Sequence, residues 1–117
     1  MSEILILLND LLYGTERSYN GLRMALALAK AEPEAWVRVF LMADVVFCAK
    51  AGQQTPNGYY NVERMLRGVL RRGEVLACGS CMDARGLADA DLVEGARRSS
   101  MDELARRTLE AGKVLVF

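Results

Sequence analysis

Hydrophobic positions along the chain alternate between short unbroken runs and stripes at helical spacing, and this alternation predicts an order of elements. Ile4-Leu5-Ile6-Leu7-Leu8 is a continuous apolar run of strand length, the pattern of a strand covered on both faces. Asn9 and Asp10 break it. A helix is expected from near Thr15 or Glu16, with Leu22, Ala25, Leu26 and Ala29 as its apolar stripe and Pro33 closing it. Residues 36–42 read as a second strand and residues 43–49 as a short helix. Residues 52–58 form a polar connection rich in Gly and Pro.

The next helix has the clearest periodicity. Val62, Met65, Leu66, Val69 and Leu70 face one way, and Glu63 and Arg67 are expected to pair across one turn on the outside. Arg71 and Arg72 complement the helix dipole before the stop at Gly73. Residues 74–77 then form a third strand that delivers Cys78 at its end. Residues 87–94 read as a short helix leading to a brief edge strand at 96–98. Ser100 and Glu103 have the spacing of a capping box. Met101, Leu104, Ala105 and Leu109 are the expected buried face of that last helix, with Asp102–Arg106 and Glu103–Arg107 as favourable pairs. Gly112 ends it, and residues 113–117 form a terminal strand.

Strand–helix alternation of this kind argues for one α/β domain over residues 1–117. The expected architecture has three layers: a mostly parallel sheet of about five strands with helices on both faces. Ligands of open α/β sheets collect beyond the carboxyl ends of the strands. Loops 9–15, 42–54 and 78–86 should meet there, and the only CxxC lies in one of them.

Composition narrows the chemistry. The chain has 117 residues, 15 basic and 15 acidic side chains and no histidine. A neutral balance argues against a nucleic-acid partner, which selects for a basic stripe. Without histidine, Ser-His-Asp and Cys-His catalysis and histidine metal sites are excluded within one chain. Met1-Ser2-Glu3 lacks the positive start of a signal peptide, and no charge-free apolar stretch approaches the roughly 20 residues of a membrane span. The expectation is a cytoplasmic protein without a membrane partner, where thiols stay reduced.

Nucleophilic chemistry then falls chiefly to Cys48, Cys78 and Cys81. Cys48 sits in the apolar run Val45-Val46-Phe47 and reads as core. Cys78, at a strand end beside the free amides of residues 79–81, is placed to favour thiolate over thiol. Arg85 and Lys50 are the nearest cations expected from the topology, with Asp83 opposing them. The plainer reading of Cys78 and Cys81 is as small core residues. Three cysteines without histidine do not close the usual tetrahedral zinc site within one chain, which leaves only a site shared between subunits. Cys78-Gly79-Ser80-Cys81 is similar to the thioredoxin motif Cys-Gly-Pro-Cys, but no proline follows Cys81 to supply that fold's cis-proline. Arginine doublets at 71/72, 97/98 and 106/107 read as solvated helix faces or intersubunit pairs, and Gly58-Tyr59-Tyr60 as packing or an interface.

The chain resembles the DsrE/DsrF-like family, and within it the small YchN-like members, from the first strand to Phe117. The resemblance is carried by Tyr13-Gly14-Thr15, Phe40-Leu41-Met42-Ala43-Asp44, Gly52-Gln53 and the helix start from Tyr60-Asn61 to Met65-Leu66. It continues through Cys78-Gly79-Ser80-Cys81-Met82-Asp83-Ala84-Arg85-Gly86 and the terminal Leu109-Glu110-Ala111-Gly112-Lys113-Val114-Leu115-Val116-Phe117. It implies a parallel α/β fold, homo-oligomers of three or six chains, and sulfur carried as a persulfide on Cys78, received from a donor protein and passed to an acceptor. A CxxC dithiol or persulfide reductase using Cys78 and Cys81 is the alternative, and a non-catalytic oligomeric binding module is a third. Cys78 and Cys81 are thus the catalytic candidates. Asn9, Tyr13, Gly14, Lys50, Gln53 and Arg85 are the binding candidates, with no metal and no cofactor expected.

Overall fold

Five strands form one sheet in the order β4-β3-β2-β1-β5, and every neighbouring pair is parallel. The computed structural model describes residues 2–117. The strands are β1 (Glu3–Leu8), β2 (Trp36–Leu41), β3 (Gly73–Cys78), β4 (Arg97–Ser99) and β5 (Lys113–Val116). Between them lie α1 (Arg17–Ala31), α2 (Val62–Leu70), α3 (Gly79–Ala84) and α4 (Met101–Glu110). Two 3-10 turns, Ala43–Ala49 and Asp89–Asp91, complete the order. The expected α/β domain is therefore the observed one. The helix expected within 87–94 is reduced to the single turn Asp89–Asp91, and β4 is displaced one residue, to 97–99.

Register divides the sheet into two faces. Ile4, Ile6 and Leu8 point to one side, together with Val37, Val39 and Leu41 opposite them on β2. α1 lies on this side so closely that a Cβ at Gly21 would run into Leu8. Leu22, Ala25 and Ala29 are among its buried positions, and Val62, Leu66 and Val69 are the buried apolar positions of α2. The 3.6-residue stripes in the sequence thus mark the helix surfaces that dock.

The opposite face is partly polar. Leu5 on β1 is level with Arg38, and Arg38 with Glu74 on β3. Arg38 is buried and pairs with Glu74 at 2.6 Å and with Glu3 at 3.6 Å. Glu74 also takes Arg97 from β4 at 2.9 Å, and Arg97 reaches Glu103 of α4 at 2.7 Å. This chain of alternating charges ties the last helix to the sheet. A buried guanidinium is tolerable only when paired in this way, because an isolated charge in the interior carries a large desolvation penalty.

Four sequence expectations change here. The doublet Arg97–Arg98 is not a solvated helix face: it lies on β4, with Arg97 bound to Glu74 and Glu103, and Arg98 bound to Asp83 and Asp89. Ser100 caps α4 by accepting from the Glu103 amide, but the Glu103 carboxylate turns to Arg97 and Ser99 rather than closing the box. Arg106 likewise leans toward Glu103, at 3.9 Å, rather than toward Asp102. Finally, Leu104 is buried, but Ala105 is exposed, Met101 is 56% exposed and Leu109 is 87% exposed. One helix cannot cover the whole of this face, and Val114 and Val116 on the edge strand β5 are exposed with it.

Glu103 has its pKa lowered from 4.5 to about 2, first by hydrogen bonding to Arg97 and then by Ser99, with burial opposing. Its contribution to stability is therefore complete above the unfolded value and is lost as the pH falls through about 2. Glu103→Gln is expected to lower the melting temperature at pH 7 by on the order of 5 °C. It should also flatten the decline in melting temperature between pH 5 and pH 2. Thermal melts of both proteins across that range check this.

Candidate thiol site

Cys78 is the last residue of β3 and the residue from which α3 departs. The strand buries it to 4% exposure, and the turn into α3 presents its first amides to the sulfur. Cys78 Sγ lies 3.3 Å from the Ser80 hydroxyl. Burial pushes the thiol pKa up. Hydrogen bonds from the Ser80 hydroxyl, the Cys81 amide, the Cys81 thiol and the Ser80 amide outweigh it and hold the pKa below the ordinary thiol value.

Cys81 is the more exposed thiol of the pair. Its pKa is raised, first by burial and then by the neighbouring Cys78, although the Ala43 amide and Arg85 act the other way. That amide donates to Cys81 Sγ at 3.3 Å. Negative charge is therefore favoured on Cys78, with Cys81 as a protonated donor to it.

Packing sets this turn as much as hydrogen bonding does. A Cβ at Gly79 would come within 3.1 Å of Arg98 and of the Ser99 carbonyl on β4, so α3 can leave β3 this close to its neighbour only through glycine. Arg98 Nη1 donates to the Gly79 carbonyl at 3.1 Å, and its other nitrogens hold Asp83 and Asp89. The start of α3 is thereby clamped to the edge strand.

The expected cations act elsewhere. Arg85 pairs with Asp44 at 2.8 Å and donates to the Cys81 carbonyl at 3.0 Å, so its field falls on Cys81. Asp83 is occupied by Arg98 rather than set against the thiol. Lys50 lines a separate recess of about 260 Å3 with Leu12, Tyr13, Phe47 and Gln53. Thiolate stabilisation at Cys78 thus comes from neutral donors rather than from a lysine or arginine.

Of the binding candidates, Tyr13, Lys50 and Gln53 share that recess, and neither Cys78 nor Cys81 lines it. Gln53 Nε2 donates to the carbonyls of Phe47, Cys48 and Lys50, which secures the end of the Ala43–Ala49 turn. The Gln53 amide donates to Glu63 at 2.7 Å. Glu63 is consequently buried rather than on the outside of α2, although Arg67 does meet it at 2.7 Å. The Tyr13 hydroxyl accepts from the Val62 amide, and its ring packs with Tyr59 and Tyr60, joining loop 9–15 to the start of α2. Gly14 has φ +100°, a conformation open to glycine at little cost. Asn9 is exposed at the end of β1.

Cys48 is fully buried, and burial pushes its thiol pKa to about 12. Among the described residues, no three His, Cys, Asp or Glu side chains gather as a group able to hold a metal ion. No helix among them is long and apolar enough to cross a membrane.

The DsrE/DsrF-like family model matches residues 2–117. The chain belongs to the DsrE/DsrF-like family. It is 38% identical to protein YchN of Escherichia coli K12 over 118 aligned positions, covering 100% of both chains. It is also 38% identical to the uncharacterized protein MK0008 of Methanopyrus kandleri, over 97% of this chain and 93% of that one. The crystal structure of the Escherichia coli ychN protein superposes with a TM-score of 0.94 over 100% of both chains. The structure of MTH1491 from Methanobacterium thermoautotrophicum shares the fold, at a TM-score of 0.78 and 17% identity over both whole chains. Within this DsrE/DsrF-like domain the sequence reading singled out both thiols but passed over two of their partners. Ser80 was visible as the hydroxyl inside the CxxC. Ala43 has no signal in its side chain, because only its amide takes part.

Ser80→Ala removes the hydroxyl donor and is expected to move the midpoint of Cys78 alkylation to higher pH. Cys48 should stay unlabelled until the protein unfolds. Peptide-resolved iodoacetamide labelling across pH 6–10 measures both outcomes.

Proposed function

We propose that this DsrE/DsrF-like protein accepts and passes sulfur as a persulfide on Cys78, in a sulfur-relay role in the cytoplasm. The observation that carries the reading is the set of donors around one sulfur, which favours its thiolate without a histidine. The thiolate attacks the outer sulfur of a donor persulfide, R–S–SH. A bond forms between Cys78 Sγ and that sulfur, the donor's S–S bond breaks, and the donor leaves as R–S⁻. A thiolate of an acceptor protein then takes the outer sulfur and returns Cys78 as thiolate. Neither step needs a metal, a cofactor or an imidazole. Cys78→Ser should abolish sulfur uptake from an organic persulfide, read as loss of the thiol that the donor releases in the first transfer.

The assembly we propose is a homo-oligomer of three or six chains. Its support is the apolar surface left on one side of the sheet. Leu109 of α4 is 87% exposed, and Val116 on the edge strand β5 is 61% exposed. Exposed apolar groups gathered on one side of a small domain are characteristic of an interaction surface, and a second copy supplies the same surface in complement. The double variant Leu109→Glu/Val116→Glu is expected to shift the protein to monomer in light scattering after size exclusion. The unaltered chain should elute at a multiple of three.

A further inference from the structure

Two thiols occupy the first turn of α3, and each sulfur has its own donors. Cys78 has the Ser80 hydroxyl at 3.3 Å, while Cys81 has the Ala43 amide at 3.3 Å. The Ala43 amide is set by unusual backbone: its φ of +53° is left-handed for a residue other than glycine. Asp44, the next residue, holds Arg85, and Arg85 in turn donates to the Cys81 carbonyl. The second strand's exit loop is thereby fastened to α3 on both sides of the Cys81 sulfur. Cys81 follows Cys78 by three residues, on the first turn of the helix that Cys78 caps, so the two side chains leave neighbouring positions. A persulfide carrier has no need of this second arrangement. A dithiol that must place negative charge on each sulfur in turn needs both.

We propose that Cys81 resolves the Cys78 persulfide, so that the site reduces sulfane sulfur to sulfide and closes as a Cys78–Cys81 disulfide. The inference rests on Cys78 being the sulfur acceptor. After the first transfer the inner sulfur remains on Cys78, one helical turn from Cys81. The Cys81 proton passes to solvent, and the Cys81 thiolate, held by the Ala43 amide, attacks that inner sulfur. The Cys78–Cys81 S–S bond forms, the bond to the outer sulfur breaks, and the outer sulfur leaves as HS⁻. Two thiols are oxidised to a disulfide while one sulfane sulfur is reduced to sulfide. An external dithiol reductant returns the pair to its starting state. The reaction is intramolecular and competes with transfer to an acceptor through proximity alone.

The test is anaerobic incubation of the reduced full-length chain with glutathione persulfide, because glutathione then reports the first step and sulfide only the second. Wild type is expected to release one sulfide per chain and to end as the Cys78–Cys81 disulfide, reversible by a dithiol. Cys81→Ser is expected to retain one added sulfur on Cys78, with sulfide release lowered by about tenfold or more. A quenched time course of wild type should show the added sulfur on Cys78 before the disulfide, a readout that does not depend on the variant's folding. Stable added sulfur in wild type without disulfide would overturn the resolving role and leave the acceptor reading standing. A disulfide with no preceding Cys78 adduct, or an adduct that appears first on Cys81, would also overturn it. No added sulfur and no disulfide in either protein would overturn both.

Discussion

The site depends on the parallel pairing of β3 with β2 and β4, which places the end of β3 between neighbours and sends the chain into α3 without an intervening loop. Cys78 pairs in register with Ser99 on β4, and Gly79 follows at once as the first helical residue. Gly79 eases that departure, because a side chain there would crowd Arg98 and the Ser99 carbonyl. Once the turn is set, amides that a longer loop would give to water face the sulfur instead. Everything chemical about Cys78 follows from where β3 stops.

Two electrostatic designs coexist in this small domain. Beneath α4, full charges alternate from Glu3 through Arg38, Glu74 and Arg97 to Glu103, and their function is to hold layers together. Around the thiols, the donors are neutral, and the guanidiniums nearest the motif are occupied by Asp44, Asp83 and Asp89. Neutral donors shift a thiol less than a contacting cation does, but they leave the outer sulfur of a persulfide free to be taken away. The balance of 15 basic and 15 acidic side chains thus reflects structural pairing more than attraction of a charged partner.

Particular residues show how far the sequence could be read. The unbroken run at residues 4–8 and the stripes through Leu22–Ala29 and Val62–Val69 announced a doubly covered parallel sheet, because burial on both faces leaves no polar alternation. Glu63 was misplaced for the reverse reason. A carboxylate on a helix reads as solvent-facing, and only the fold brings the Gln53 amide across to bury it. Leu109 was misplaced because periodicity reports that a face is apolar and says nothing about which surface covers it. The cysteines were legible from their spacing at a strand end. Their partners were not: Ala43 acts through its backbone, and it lies 38 positions from Cys81.

By itself, then, the sequence determined the main strands and helices, a mostly parallel sheet, the absence of imidazole chemistry and the two thiols on which reactivity must rest. These are properties of local pattern and residue type, which survive without knowledge of what lies alongside. Tertiary structure alone decided that neutral donors rather than Arg85 or Lys50 favour the Cys78 thiolate, and that Arg85 serves the second sulfur rather than the first. A pKa is set by burial and by donors within a few ångströms. The donors to Cys78 are its chain neighbours, set by the turn into α3, whereas the Ala43 amide and the Asp44 that holds Arg85 reach the second sulfur only through the fold.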